Sequence, residues 1–192
     1  MRKQYPNSLF RRLDEQHLKR VWEWRNAPRV RDFMHNDQPI SWQQHLDWFE
    51  RLAKDASRSF WVFYQNERPV GVLNFSGLDS LTPEWGCYLG ETDIWPGSGL
   101  LLEVAALDYA ATWPEEKFLL AEVLSFNQSM VKLHRLFQYE ELPSRPGGTR
   151  QGLSYDVLRF RYPVKHWPGQ RNSVLARLPG QIRQASQLIE FV

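Results

Sequence analysis

Cysteine is almost missing from this 192-residue chain, which holds only Cys87. That excludes an intrachain disulfide framework and any metal site built from several thiolates, and it fits a reducing compartment. No apolar run approaches membrane-spanning length, and the N-terminal MRKQYPNSLFRRLD is charged, without the apolar stretch of a signal peptide. Internal repeats, low-complexity tracts, zinc-finger spacings and a concentrated basic helix are also missing, which leaves a nucleic-acid role without support. The expectation is a cytoplasmic protein with no resident metal and neither membrane nor nucleic-acid partners.

What is there is ordinary in bulk and unusual in detail. Hydrophobic residues make up 42% and charged residues 24%, enough for one domain with a substantial core. Aromatics reach 14%, with nine Trp, area that can enlarge a core or line a pocket for a flat or sugar-like ligand. The net charge of +2 is unevenly spread, since residues 141–192 hold eight Arg/Lys against three Asp/Glu. Those charges are dispersed, as on a solvated surface, yet they would also attract a phosphorylated ligand.

Periodicity predicts an edge strand over 9–16, a helix over 17–26 and an amphipathic helix over 41–55 with Ser41 as its N-cap. Strands follow at 59–65, 69–78 and 84–90, joined by short turns as in an antiparallel meander. A helix over 97–112, a strand over 117–125, a helix over 127–138 and a strand over 152–164 complete the order. This is an α+β (mixed α/β) pattern around one sheet. Residues 1–165 read as the main domain. Residues 166–192, which can end in a helix at GQIRQASQLIEFV, read as a C-terminal appendage.

Two stretches carry chemistry. In DIWPGSGLLLEVAALDYA (93–110), Gly97-Ser98-Gly99 opens a helix. Glycines let a phosphate approach the backbone while the helix N-terminus supplies positive potential. No Lys-Ser/Thr follows, so it is no P-loop, and Leu102 stands where the dinucleotide fingerprint needs a third glycine. Alone, the pair of glycines is equally a chain reversal before a core helix. In the later helix, Met130, Leu133, His134 and Phe137 share one face below the N-cap candidate Asn127. A histidine there is either a satisfied core residue or a catalyst.

Together, strand, Gly-x-Gly loop, helix, strand and Asn-x-x-x-x-x-Leu-His-x-x-x-x-Tyr resemble the GCN5-related N-acetyltransferase (GNAT) superfamily, across roughly residues 8–164. EWRNAPRVRDFM, ISWQQHLDWF, EWGCYLG and LSFNQSMVKLH look like a narrower branch. Its members acetylate the 4-amino group of a UDP-linked dideoxy sugar in pseudaminic-acid synthesis, often with His where most GNAT enzymes carry Tyr. Two positions depart from the superfamily pattern: Ile94 replaces the loop's Gln/Arg, and Gln138-Tyr139 stands where Gly-Phe usually closes the second helix.

The resemblance implies a mostly antiparallel twisted sheet splayed between its fourth and fifth strands, flanked by helices, with acetyl-CoA (coenzyme A) as cofactor. Its pantetheine arm would lie on Cys87, Tyr88 and Leu89, and its pyrophosphate on Gly97, Ser98 and Gly99. Ile94, Trp95, Leu100, Asn127, Met130 and Leu133 would complete that site. His134 would be the general acid, and Glu122 or Glu84 the base acting through water. The acceptor, a nucleotide-sugar amine, would meet Trp24, Arg25, Asn26, Met34, His45 and Trp48. Two alternatives stay open: an N-terminal acetyltransferase of the ribosomal-protein type, and a non-catalytic acyl-CoA-binding domain. A homodimer is also left open.

Overall fold

The computed structural model describes residues 5–192. An eight-stranded sheet runs in the order β6-β7-β5-β4-β3-β2-β1-β8. Strands β1 (Ser8–Arg12), β2 (Ser59–Gln65), β3 (Arg68–Ser76) and β4 (Glu84–Leu89) pair antiparallel in succession, as the short turns between them require. β5 (Phe118–Leu124) lies parallel to β4 and antiparallel to β7 (Leu153–Pro163), which forms a hairpin with β6 (Glu140–Arg150).

Side-chain alternation gives each face of the sheet its own helical layer. Trp61 and Phe63 of β2 join one core with Trp85 of β4 and Leu119, Ala121 and Val123 of β5. That core is covered by α4 (Ser98–Ala110) and α5 (Gln128–Leu136). Apart from Glu103 and Asp108, the eleven residues after Gly99 in α4 are apolar or aromatic, and a helix apolar on nearly all sides is stable only when enclosed. On the other face, Val62, Tyr64 and Val72 meet Val21 and Trp24 of α1 (Leu18–Asn26). Beside it lie the short α2 (Pro28–Arg31) and α3 (Trp42–Lys54). Ser41 caps α3 as expected: its Oγ accepts from Gln44 N at 3.2 Å, and the Gln44 side chain accepts from Ser41 N at 2.8 Å, a full capping box.

Two segments differ from the sequence reading. The length of β6 escapes a periodicity argument because it contains Pro143, Pro146, Gly147 and Gly148. It is an edge strand with two register shifts, the setting in which a sheet tolerates proline. At the C-terminus, the helical turn α7 (Gly180–Ala185) gives way to β8 (Ile189–Phe191) instead of continuing to the end. The alternation Ile189-Glu190-Phe191 suits a strand, and Phe191 stacks on Phe10 at 4.7 Å while β8 pairs parallel with β1.

Residues 166–192, read as an appendage, pack into the same core as the sheet. Trp167, which opens α6 (Trp167–Leu175), is 1% exposed, and Val174, Leu175, Ile182 and Ala185 are buried with it. Asp108 of α4 accepts from Trp167 Nε1 at 2.7 Å and from Arg171 at 2.7 and 2.9 Å. Replacing Trp167 with Ala is therefore expected to destabilise the whole protein by about 3–5 kcal/mol in urea unfolding, as for a core Trp. A loss below about 1 kcal/mol would show the segment to be peripheral.

Candidate active site

β4 and β5 share one residue pair, Glu84 with Leu120. Backbone bonds from Phe118 N to Leu81 O (2.9 Å) and Leu120 N to Pro83 O (2.8 Å) join the strands' lower ends. Beyond that point β4 pairs with β3 alone, so the strands diverge and one edge of Gly86–Leu89 has no strand partner. Buried main-chain donors and acceptors must find partners. Here that edge faces a cavity of about 890 Å³, lined by Gly86–Leu89 on one side and Ala121–Leu124 on the other.

At one end of the cavity stands the start of α4. Gly97 is its N-cap with φ 111°, in the left-handed region, and a Cβ there would come 2.2 Å from Ile182 Cδ1. Ser98 does not present its N–H as expected: it donates to Trp95 O at 3.1 Å, and its buried Oγ bonds Trp95 O and Gln65 Oε1. The N–H groups of Gly99 and Leu100 are the free donors of the first turn. Gly99 lines the cavity, and a Cβ added there meets nothing within 4 Å. A helix N-terminus with free donors and open space before a glycine is a place for an anion.

His134 lines the same cavity and is otherwise enclosed, 1% exposed, with Trp85, Tyr139 and Phe160 rings at 5.7, 4.9 and 5.1 Å. Its Nδ1 lies 3.2 Å from Glu103 Oε1, a carboxylate with no solvent exposure. Asn127 caps α5 through Oδ1, accepting from Met130 N at 3.4 Å, and both residues line the cavity. Burial, then the charge of Glu103, pushes the Cys87 thiol well up, so it stays protonated and is no rival nucleophile. Burial likewise raises the Tyr88 phenol, against the pull of Arg25.

Glu84 and Glu122 both face the side of the sheet that carries α1 and α3, because each is offset by an even number from Tyr88 or an odd number from Ala121 in its strand. Glu122 is engaged by Arg145 (2.6 Å), His35 (3.5 Å) and Arg159 (3.6 Å). No ion pair holds Glu84 among the described residues. Desolvation, followed by the charge of Glu122, raises its carboxyl above the ordinary value, with Arg145 and Arg159 pulling the other way. Of the two carboxylates, Glu84 is the freer to move a proton.

The cavity wall formed by α1–α3 and the residues around them, where the acceptor is expected, is basic and aromatic. Arg25, Arg29 and Arg51 line it with Met34, His45, Trp48 and Phe60. Arg25 Nη2 donates to Asn36 O at 2.6 Å, while its Nη1 is enclosed without a partner among the described residues. Desolvation and the like charge of Arg31 lower its pKa, opposed by Tyr88, but a guanidinium stays charged. His45 is fixed by Leu18 O at 3.1 Å and desolvation lowers its pKa, so it offers a neutral ring. Trp48 stacks on it at 5.0 Å.

Several expected site residues lie elsewhere. Trp24 is buried in the α1-side core with Nε1 on Glu91. Asn26 pins Ile40 through both side-chain atoms. Ile94, Trp95, Leu100 and Leu133 pack against the core outside the cavity lining. Conversely, Arg150 was missed: from the hairpin end it bonds Asp32 O (2.7 Å), His35 O (2.9 Å) and Met34 O, and pairs with Asp37 (3.3 Å). It ties the 32–37 loop, whose residues 33–36 line the cavity, to the end of the β6–β7 hairpin.

Residues 8–137 match the acetyltransferase (GNAT) domain family, a span that includes the splayed strands, the Gly-x-Gly helix start and His134. The chain belongs to the GNAT acetyltransferase family. It is an acetyl-CoA-dependent N-acetyltransferase. Among its relatives is the acetyltransferase PseH of Campylobacter jejuni, 27% identical over 126 residues, which are 66% of this chain and 78% of that protein. The crystal structure of Campylobacter jejuni PseH superposes with a TM-score of 0.60 at 17% identity, over 82% of this chain and 99% of that one. The Vibrio cholerae spermidine N-acetyltransferase in complex with CoA and spermine gives a TM-score of 0.74 at 16% identity, over 84% and 98%.

The GNAT cofactor fits the geometry described above. The free edge of Gly86–Leu89 can bond the amides of a pantetheine arm as a further strand would, and the Gly99 and Leu100 N–H groups can meet its pyrophosphate. Among the described residues no group of three His, Cys, Asp or Glu side chains is placed to hold a metal ion, and no helix is long and apolar enough to cross a membrane. Gly99→Val is expected to fold, since its Cβ has open space, yet to raise the KM for acetyl-CoA at least tenfold by filling that approach. An unchanged KM would move the pyrophosphate elsewhere.

Proposed function

We propose that the enzyme acetylates the 4-amino group of a UDP-linked amino-dideoxy sugar, by direct attack in a ternary complex. The observation that carries this reading is Arg25, a half-buried guanidinium on the cavity wall whose Nη1 is enclosed without a hydrogen-bond partner among the described residues. A guanidinium drawn partly out of water with one donor nitrogen unmet favours a ligand that supplies counter-charge and acceptors, and a diphosphate supplies both. Arg29 and Arg51 add to the same sign, and Trp48 and Phe60 offer flat faces to a base or sugar ring. A polyamine would need the opposite charge. The likeness to PseH and to the pseudaminic-acid branch supports the same acceptor class.

Acetyl-CoA, when bound, supplies an activated acyl thioester. Glu84, whose carboxyl is raised above its ordinary value by desolvation and by the charge of Glu122, takes the proton released by the acceptor amine through water as the N–C bond forms. His134 delivers a proton to the sulfur that leaves with the electron pair of the broken C–S bond. The protonated Cys87 takes no part. Because Glu84 works as a carboxylate, activity should rise as pH passes upward through its elevated pKa, above the usual carboxylate range. Glu84→Gln should lower kcat/KM about 100-fold or more and remove that acidic limb. A limb that survives would assign the base elsewhere.

The acceptor is tested by thiol release from acetyl-CoA with UDP-4-amino sugars, dTDP-4-amino sugars, spermidine and N-terminal peptides. UDP-4-amino sugars should give the highest kcat/KM. Arg25→Ala should raise the KM for that acceptor about 10- to 100-fold, the worth of a hydrogen bond to a charged group, while sparing the KM for acetyl-CoA. Turnover of spermidine or peptide in preference to every nucleotide sugar would overturn the proposal.

A further inference from the structure

The centre of α4 holds a carboxylate where its surroundings are apolar. Glu103 lies between Leu102 and Val104, and all three are buried. Burying a carboxylate is unfavourable unless a partner compensates it. Three groups face Glu103. Cys87 and Tyr139 are both pushed up by burial and by the Glu103 charge, so both stay neutral. The Tyr139 hydroxyl faces the carboxylate and the Trp85 indole, but Tyr139 Oη, Trp85 Nε1 and Glu103 Oε2 close no hydrogen bond. His134, at 3.2 Å, is the one that makes a hydrogen bond and the one that can carry positive charge. Its ring is held on three sides by Trp85, Tyr139 and Phe160, and Nε2 has no protein partner among the described residues.

We propose that Glu103 is a positioning residue for His134: its carboxylate accepts the Nδ1 proton and thereby leaves Nε2 as the nitrogen that serves the cavity. A ring bonded this way cannot turn over to present Nδ1, and after proton delivery it relaxes to one neutral tautomer, Nδ1–H. The fixed carboxylate also stabilises the imidazolium that must exist before the transfer. A carboxylate that orients and stabilises a catalytic imidazole has this effect in hydrolytic triads. The step itself is balanced: one proton passes from Nε2 to the leaving sulfur, and the Nδ1 proton stays between His134 and Glu103.

This inference rests on the reading of His134 as the acid, and a double-mutant cycle separates the two. His134→Phe should cut kcat strongly with the KM for acetyl-CoA nearly unchanged; unaltered turnover would remove the acid role and the Glu103 role with it. Glu103→Gln should cut kcat at least tenfold with that KM within about twofold, and should cost nothing further in the His134→Phe background. Wild-type kcat in Glu103→Gln, or an undiminished loss in the double variant, would overturn the Glu103 proposal while leaving His134 as acid. Should the variant fail to fold, nitrogen NMR of the wild-type imidazole reads the same point. The neutral ring of His134 should carry its proton on Nδ1, and an Nε2–H tautomer would overturn the assignment.

Discussion

Two parallel strands that meet at one pair, Glu84 with Leu120, and then separate impose the arrangement on which the remaining structure depends. A fully zipped β4–β5 pair would satisfy its own backbone and leave no cavity. Because it opens, main-chain groups of β4 are left without strand partners in the interior, a state that a fold tolerates when a ligand supplies the missing bonds. The divergence also sets the chemistry on either side. Gly99 and His134 reach the opening from the α4–α5 face, while Glu84 stands on the face that carries α1 and α3. The proposed acid and the proposed base thus approach from opposite sides of one gap.

The two walls of that gap work in different dielectric surroundings. On the α4–α5 side a carboxylate, an imidazole and a phenol are buried among aromatic rings, with the half-buried Cys87 thiol beside them, so pairwise electrostatics are strong. On the proposed acceptor side the charges are arginines with partial access to solvent, and Glu122 is paired with Arg145 and Arg159, with His35 at 3.5 Å. Such a side attracts an anion from a distance and lets product leave, because exposed pairs hold weakly.

Much of this was legible in the residues. The three-strand meander, the Gly-x-Gly helix start and the His134 stripe follow from periodicity and turn chemistry, and the family pattern supplied the splay and the cofactor. Glu103 was not singled out from the sequence, although a carboxylate inside LLLEVAA interrupts an apolar run and such a break asks for a partner. The acceptor wall was read less well. Trp24 and Asn26 carry the right chemistry for a binding role, but tertiary packing turned one into the core and spent the other on Ile40. Arg150 lies 118 residues from Asp32, and no local spacing announces that contact. Strand β6 was hidden because its prolines and glycines are tolerated only at a sheet edge, which is a property of the neighbours and not of the segment.

Arg150 holds the 32–37 loop mainly by the carbonyl oxygens of Asp32, Met34 and His35. Every residue type offers that same oxygen. The fastening is therefore indifferent to which side chains the loop carries, even though Met34, His35 and Asn36 line the cavity. Evolution can rewrite that stretch residue by residue without unfastening it. One loop can thus drift toward new amine acceptors while the thioester end of the enzyme stays untouched.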